Sequence, residues 1–106
     1  MLGGEFDNLA KIIDSFLDDA PKLLAELDQF VTGGDADGVR LVAHGLKSNG
    51  ADFGAARFAR LCQDLEMIGK SGVLDGAASL SGQIQAEYRE VEAALMAIRR
   101  AGKVLR

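Results

Sequence analysis

The chain is poor in the residues that build disulfide-linked, zinc-bound or membrane-spanning proteins. Its 106 residues include one cysteine, one histidine, one proline and no tryptophan. The single cysteine, Cys62, excludes an internal disulfide, and one cysteine with one histidine cannot supply the four ligands of a structural zinc site. No apolar run approaches the ~20 residues that a membrane helix needs, and the N-terminus lacks the basic and apolar regions of a signal peptide. We therefore expect a cytoplasmic protein that does not enter a membrane.

Basic and aromatic residues are also scarce. Twelve lysines and arginines face sixteen aspartates and glutamates, for a net charge of −4, so the concentrated basic face of a nucleic-acid-binding protein is not expected. Aromatic residues make up 6% of the chain and hydrophobic residues 48%, which is enough for a core and favours helices over sheets. The length suits one domain, which we place at residues 1–106.

Apolar residues recur at spacings of three and four, which indicates amphipathic helices. The pattern predicts a first helix from about Leu9 to Gly33, kinked or broken at Pro21, a second over 36–50, a third over 55–70, and a fourth from Asp75 to 100. The predicted inward positions are, in chain order, Leu9, Ile12, Ile13, Phe16, Leu17, Ala20, Leu23, Leu24, Leu27, Phe30, Val31, Val39, Val42, Ala43, Leu46, Phe58, Leu61, Cys62, Leu65, Ile68, Ala77, Leu80, Ile84, Tyr88, Val91, Leu95 and Ile98. Four such helices with short connections predict an all-α protein, an antiparallel up-down-up-down four-helix bundle.

The one histidine, His44, lies on the outward face of the second predicted helix. At about 100° per residue, the apolar face of this helix centres among Val39, Ala43 and Leu46, and His44 projects roughly 140–150° from that centre. A lone surface histidine usually has no function. The residues three and four positions away, which share its face, change that interpretation. They are Arg40, Leu41, Lys47 and Ser48.

This combination of side chains suits the acceptance of a phosphoryl group. Imidazole is largely neutral and nucleophilic near neutral pH, and a lysine one turn away can pair with phosphoryl oxygens. Ser48 and Gly45 leave room for a partner to approach the ring, and Leu41 offers apolar contact for docking.

The residues around His44 resemble the signature of histidine-containing phosphotransfer (Hpt) domains. The matching residues are Ala43-His44-Gly45-Leu46-Lys47, then Gly54-Ala55, and then Phe58, Leu61, Cys62 and Leu65-Glu66. The first helix contributes the stretch Phe16-Leu17-Asp18-Asp19-Ala20-Pro21, which is common in such domains. The match departs from the usual pattern after Lys47, where Ser48-Asn49 stands in place of Gly-Ser.

The resemblance implies a four-helix bundle with an exposed, phosphorylatable histidine on the second helix. It implies that His44 is the phosphorylation site, that Lys47 stabilises the phosphoryl group and that Glu66 orients the other ring nitrogen. Glu66 could equally be a plain solvated side chain. The implied partners are response-regulator receiver domains and a hybrid sensor histidine kinase. The receiver domain would supply the divalent metal, so we expect a monomeric phosphoryl carrier, not an enzyme, with no cofactor of its own.

Two other functions remain open at this point. One is a helical adaptor that has kept the fold but lost phosphotransfer, against which the presence of both His44 and Lys47 argues. The other is the phosphorylated N-terminal domain of a histidine kinase, to which the segment from Asn49 to Gly54 bears some similarity. Phosphotransfer from receiver domains would separate the first from an active protein, and the full-length gene would identify the second. The sequence does not indicate the cognate kinase or regulator, the direction of phosphate flow or the pathway output.

Overall fold

The computed structural model describes the backbone of residues 2–105 and the side chains of residues 7–101. Its helices are α1 (Leu2–Gly33), α2 (Ala36–Asp52), α3 (Ala56–Ser71) and α4 (Ala77–Leu105). No strand occurs in the described backbone, so the prediction of an all-α fold is confirmed. None of these helices, over the part described, is long and apolar enough to cross a membrane.

Local signals explain where the helices begin and end. The side chain of Asp35 accepts a hydrogen bond of 2.9 Å from the backbone N–H of Gly38 and caps the start of α2. Gly72 ends α3 in the left-handed conformation, with φ of 78°, which costs glycine little. The predicted break at Pro21 is wrong, because α1 continues through this residue. Pro21 lies on the exposed face, while Ala20 and Leu24 are buried and hold the helix against the core.

The four helices form a ring. Each helix packs against the next one along the chain and α1 also packs against α4, whereas within the described residues no Cα atoms of the diagonal pairs lie within 8 Å of each other. Residues 34–35, 53–55 and 72–76 connect the helices. Connections this short favour an antiparallel up-down-up-down course, which stays a prediction.

The core lies inside this ring. An aromatic cluster joins α1, α3, α4 and the α2–α3 connection: the ring of Phe16 lies 5.2 Å from that of Phe53, 6.3 Å from Phe58 and 5.8 Å from Tyr88. The remaining buried apolar residues are Ala10, Ile13, Ala20, Leu24, Leu27, Val39, Val42, Ala43, Leu46, Cys62, Leu65, Ala77, Ile84, Val91 and Leu95. Most of the predicted inward positions are therefore buried.

Three predicted inward residues are exposed instead: Leu9, Ile12 and Ile98. The reason is the difference in helix length. The helices α1 and α4 have 32 and 29 residues, whereas α2 and α3 have 17 and 16. At 1.5 Å per residue, α1 and α4 are longer than the α2–α3 pair, and these positions fall near the end of that pair. Ile12 and Ile98 there line open clefts beside Phe53 instead of packing in the core.

Candidate functional site

His44 lies in the middle of α2 with its side chain 59% exposed. Its orientation follows from the helical register, because the preceding Ala43 and the following Leu46 are both fully buried. Gly45, next to the histidine, has open space where a side chain would stand. The imidazole is therefore accessible to a protein partner.

Two glycines allow α2 and α3 to approach closely beneath this histidine. A Cβ atom on Gly69 would lie 2.8 Å from the backbone nitrogen of Arg40 and 2.9 Å from the backbone oxygen of Ala36. A Cβ atom on Gly50 would lie 2.6 Å from the ring of Phe58. With no side chains at these two positions, a residue on α3 can reach the side chains of α2.

Glu66 of α3 makes that contact. Its side chain is only 7% exposed, and its Oε2 atom lies 3.0 Å from Nδ1 of His44. The Nζ atom of Lys47 donates a hydrogen bond of 2.7 Å to the other oxygen, Oε1. Glu66 therefore bridges the two functional candidates on α2, and the alternative of a plain solvated glutamate is wrong.

The charge of Glu66 determines which nitrogen of His44 carries the proton. The hydrogen bond from Lys47 lowers the pKa of Glu66, burial acts against it by raising that pKa, and the hydrogen bond with His44 lowers it again, so the net shift is downward. An ionised carboxylate only accepts hydrogen bonds. Nδ1 of His44 must then be the donor, which leaves the lone pair of a neutral ring on Nε2.

Lys70 is a member of this site that the sequence analysis missed. Its Nζ atom lies 3.7 Å from Oε2 of Glu66, and its side chain is 53% exposed. The available signal was its spacing, since residues four apart share one face of a helix and Lys70 follows Glu66 by four. Two lysines thus approach the same buried carboxylate, one from each helix.

The two predicted docking residues lie on the surface of α2. Leu41 is 61% exposed, and Ser48 is also exposed. They stand three residues before and four residues after His44, so both share its helix face. Their role in docking stays a prediction.

Cys62 does not belong to the site. It is fully buried, and burial raises the pKa of its thiol to about 12, so the reactive thiolate is scarce near neutral pH. Among the side chains that the structure describes, no group of three or more His, Cys, Asp or Glu residues is placed to hold a metal ion.

An exposed histidine held by a buried carboxylate on a helical domain is the arrangement expected of a phosphoryl carrier. The family model of the Hpt domain matches residues 11–94, so the chain belongs to the histidine-containing phosphotransfer family. Members of this family are intermediates of phosphorelays and interact with response-regulator receiver domains and kinases of two-component systems. The chain is a phosphorelay intermediate of this kind.

One solved structure is similar to this chain in both sequence and fold. The chain is similar to the crystal structure of histidine-containing phosphotransfer protein B (HptB) from Pseudomonas aeruginosa PAO1, with 28% sequence identity and a TM-score of 0.86. The similarity covers 90% of this chain and 83% of that one. No curated protein matches the chain.

Proposed function

We propose that this chain accepts a phosphoryl group on Nε2 of His44 and donates it to an aspartate of a receiver domain. The observation that carries the proposal is the bond between Nδ1 of His44 and the buried carboxylate of Glu66. This bond holds the ring in one orientation and directs the unprotonated nitrogen, Nε2, away from Glu66. A solvated histidine with no role would not need a buried partner.

The transfer step can be written with all charges accounted for. The lone pair on Nε2 attacks the phosphorus of a receiver aspartyl phosphate, a P–N bond forms, and the P–O bond to the aspartate breaks with its electron pair leaving on the carboxylate. The ring keeps its Nδ1 proton and gains a positive charge. The carboxylate of Glu66, 3.0 Å away, neutralises that charge. Donation to a second receiver is the same step in reverse.

Lys47 supplies the cation for the transferred group. It lies one helical turn beyond His44, and its Nζ atom is held near the ring by Glu66. A lysine is a flexible point charge with three donors, so it can turn towards phosphoryl oxygens that arrive at Nε2.

Catalytic machinery for the transfer belongs to the partner. We expect the receiver domain to bring the divalent metal and the acidic pocket, so this chain acts as a carrier without a cofactor of its own. A hybrid sensor histidine kinase is the expected source of the phosphoryl group. We further propose that the chain works as a monomer in the cytoplasm, with Leu41 and Ser48 covered by the receiver domain in the complex.

Phosphoryl transfer from a labelled receiver domain tests this proposal. We expect label on His44 in a bond that is labile in acid and stable in alkali. His44→Gln should abolish labelling and leave the helical circular dichroism and the melting temperature nearly unchanged, because an exposed residue contributes little to stability. Label on the His44→Gln variant would place the acceptor elsewhere. Absence of label on the wild-type protein, with every receiver domain of the host, would favour the inactive adaptor.

Variants of the predicted docking face test the partner contact. Ser48→Arg should block the approach of the receiver domain, whereas Ser48→Gly should be tolerated or bind slightly better. Leu41→Asp should weaken binding, because it removes apolar contact and adds a negative charge near the receiver's acidic pocket. Titration of each variant against a receiver domain gives the affinity, and thermal melts check the fold. Wild-type binding by both Ser48→Arg and Leu41→Asp would show that the partner docks on another face.

A further inference from the structure

The carboxylate of Glu66 is surrounded by more positive charge than the orientation of His44 requires. Oε1 accepts a hydrogen bond of 2.7 Å from Lys47, and Oε2 accepts one of 3.0 Å from His44. The ammonium group of Lys70 then stands 3.7 Å from Oε2, just beyond hydrogen-bonding distance. The buried carboxylate is already satisfied by the first two partners, so Lys70 has no evident task in this arrangement.

Once His44 carries a phosphoryl group, the ammonium group of Lys47 can pair either with Glu66 or with the phosphoryl oxygens. A phosphoryl group brings a charge of about −1.5 to −2 at neutral pH and three strong acceptor oxygens. If Lys47 turns to those oxygens, it leaves Oε1 of Glu66. The ring gains one positive charge, but the phosphoryl group brings more negative charge than that, so the site becomes more negative overall. A buried carboxylate that loses its hydrogen bond from Lys47 under these conditions is destabilised, even though His44 still donates to it.

From this geometry we infer that the ammonium group of Lys70 moves into hydrogen-bonding distance of Glu66 and neutralises it when Lys47 turns to the phosphoryl group. The inference rests on the proposed function of His44 and Lys47. The side chain of Lys70 is half exposed and therefore free to move, and it needs to shorten its contact with Oε2 by less than 1 Å to form a hydrogen bond. Because a carboxylate shares its charge between both oxygens, a cation at Oε2 compensates for one lost at Oε1. Lys70 is thus a positioning residue that favours the phosphorylated form through Glu66.

The equilibrium of phosphoryl exchange with a receiver domain tests this inference. That equilibrium depends only on the free energies of the separated proteins, so any effect of Lys70 on docking does not enter it. We expect Lys70→Met to shift the equilibrium towards the phosphorylated receiver by roughly two- to fivefold, the range of a partly exposed ion pair. Lys70→Arg should restore the wild-type value, and the lifetime of phosphohistidine should follow the same order.

Two further variants separate this mechanism from its competitors. Lys22→Met removes the same charge from an exposed position on α1 and should leave the equilibrium unchanged. In a Glu66→Gln background there is no buried charge to neutralise, so Lys70→Met should then have no effect. An equal effect of Lys70→Met in both backgrounds would mean that Lys70 contacts the phosphoryl group directly and would overturn the inference. A wild-type equilibrium in Lys70→Met would mean that Lys47 serves both groups at once and would overturn it as well.

Failure of the proposed function would look different from failure of this inference. Label that never reaches His44 in the wild-type protein contradicts the phosphotransfer function itself. Normal labelling of His44, combined with no dependence on Lys70, leaves that function intact and removes only the role of Lys70.

Discussion

At the scale of single residues, the position of the Lys47 ammonium group differs from what helix geometry suggests. Spacing alone places Lys47 beside the imidazole and predicts an ammonium group that has no partner until His44 is phosphorylated. In the structure it donates to Glu66 and is only 28% exposed. Lys47 therefore contributes to the stability of the free protein as well as to the proposed transfer.

Lys47→Ala should affect both properties. Loss of a contact to the phosphoryl group should slow transfer or shorten the phosphohistidine lifetime. The corresponding change in free energy should be about 1.5–3 kcal/mol, the range for hydrogen bonds to charged groups. The free energy of unfolding should fall by about 1–3 kcal/mol, because a buried carboxylate loses a partner. Transfer assays and urea denaturation measure the two effects, with exposed Lys22→Ala as the control. Wild-type transfer by Lys47→Ala would show that Lys47 does not take part in phosphoryl transfer.

Glu66 should make the stability of the protein depend on pH. Its pKa is lowered in the folded protein, mainly by the hydrogen bond from Lys47, so its ionised form stabilises the folded state above the pKa of the unfolded chain. That contribution is lost as the pH falls through the lower pKa of the folded state. We expect the unfolding free energy of Glu66→Gln to fall less steeply over this acidic range than that of the wild-type protein.

Urea denaturation at a series of acidic pH values measures this dependence. Glu26→Gln is the matched control, since Glu26 is exposed on α1 and should leave the slope of the wild-type protein intact. Identical slopes for Glu66→Gln and the wild-type protein would contradict an ionised Glu66 held by Lys47 and His44.

At the scale of helices, the α2–α3 pair is the element that builds the site. Gly69→Ala would place a methyl group 2.8 Å from the backbone nitrogen of Arg40, and backbone atoms cannot move aside as a flexible side chain can. The two helices would have to separate, which should cost about 1–3 kcal/mol of unfolding free energy. The bond between His44 and Glu66 should be disturbed by the same movement.

Gly82→Ala is the control for this change. Gly82 is also within a helix, but nothing lies within 4 Å of the position where its Cβ would stand. Alanine should therefore stabilise α4 there by about 0.5–1 kcal/mol, because it has the higher helix propensity. Thermal or urea denaturation compares the two variants. Equal stability of Gly69→Ala and Gly82→Ala would show that α2 and α3 are not as close as the structure has them.

At the scale of the whole molecule, the aromatic cluster around Phe16 joins α1, α3, α4 and the α2–α3 connection. Phe16→Ala should lower the unfolding free energy by about 3–5 kcal/mol, because it opens a cavity where rings from several elements meet. Leu9→Ala, in the partly exposed region of the same helix, should cost much less. Urea denaturation followed by circular dichroism measures both. Similar losses for the two variants would mean that the stabilising core extends as far as Leu9.

The fold and the position of His44 could be predicted because both depend on local patterns. Apolar spacing of three and four predicts the helices, and the capping Asp35 and the left-handed Gly72 are residues of the types that mark helix ends. The outward direction of His44 follows from its angle to Ala43 and Leu46 on one helix, with no knowledge of the neighbours. The prediction of burial was wrong at Leu9, Ile12 and Ile98, because periodicity does not reveal where a neighbouring helix ends.

The partners of His44 were decided by the tertiary structure. Glu66 belongs to α3, and its distance from His44 depends on the separation and the relative rotation of two helices. Apolar periodicity shows which face of each helix points inward, but it gives neither the separation of the two helices nor their rotation accurately enough to place one side chain against another. The absence of side chains at Gly50 and Gly69 permits the close approach of the two helices. The sequence by itself thus determined that a histidine faces outward, whereas the packing of α2 on α3 decided which of its nitrogens holds the proton.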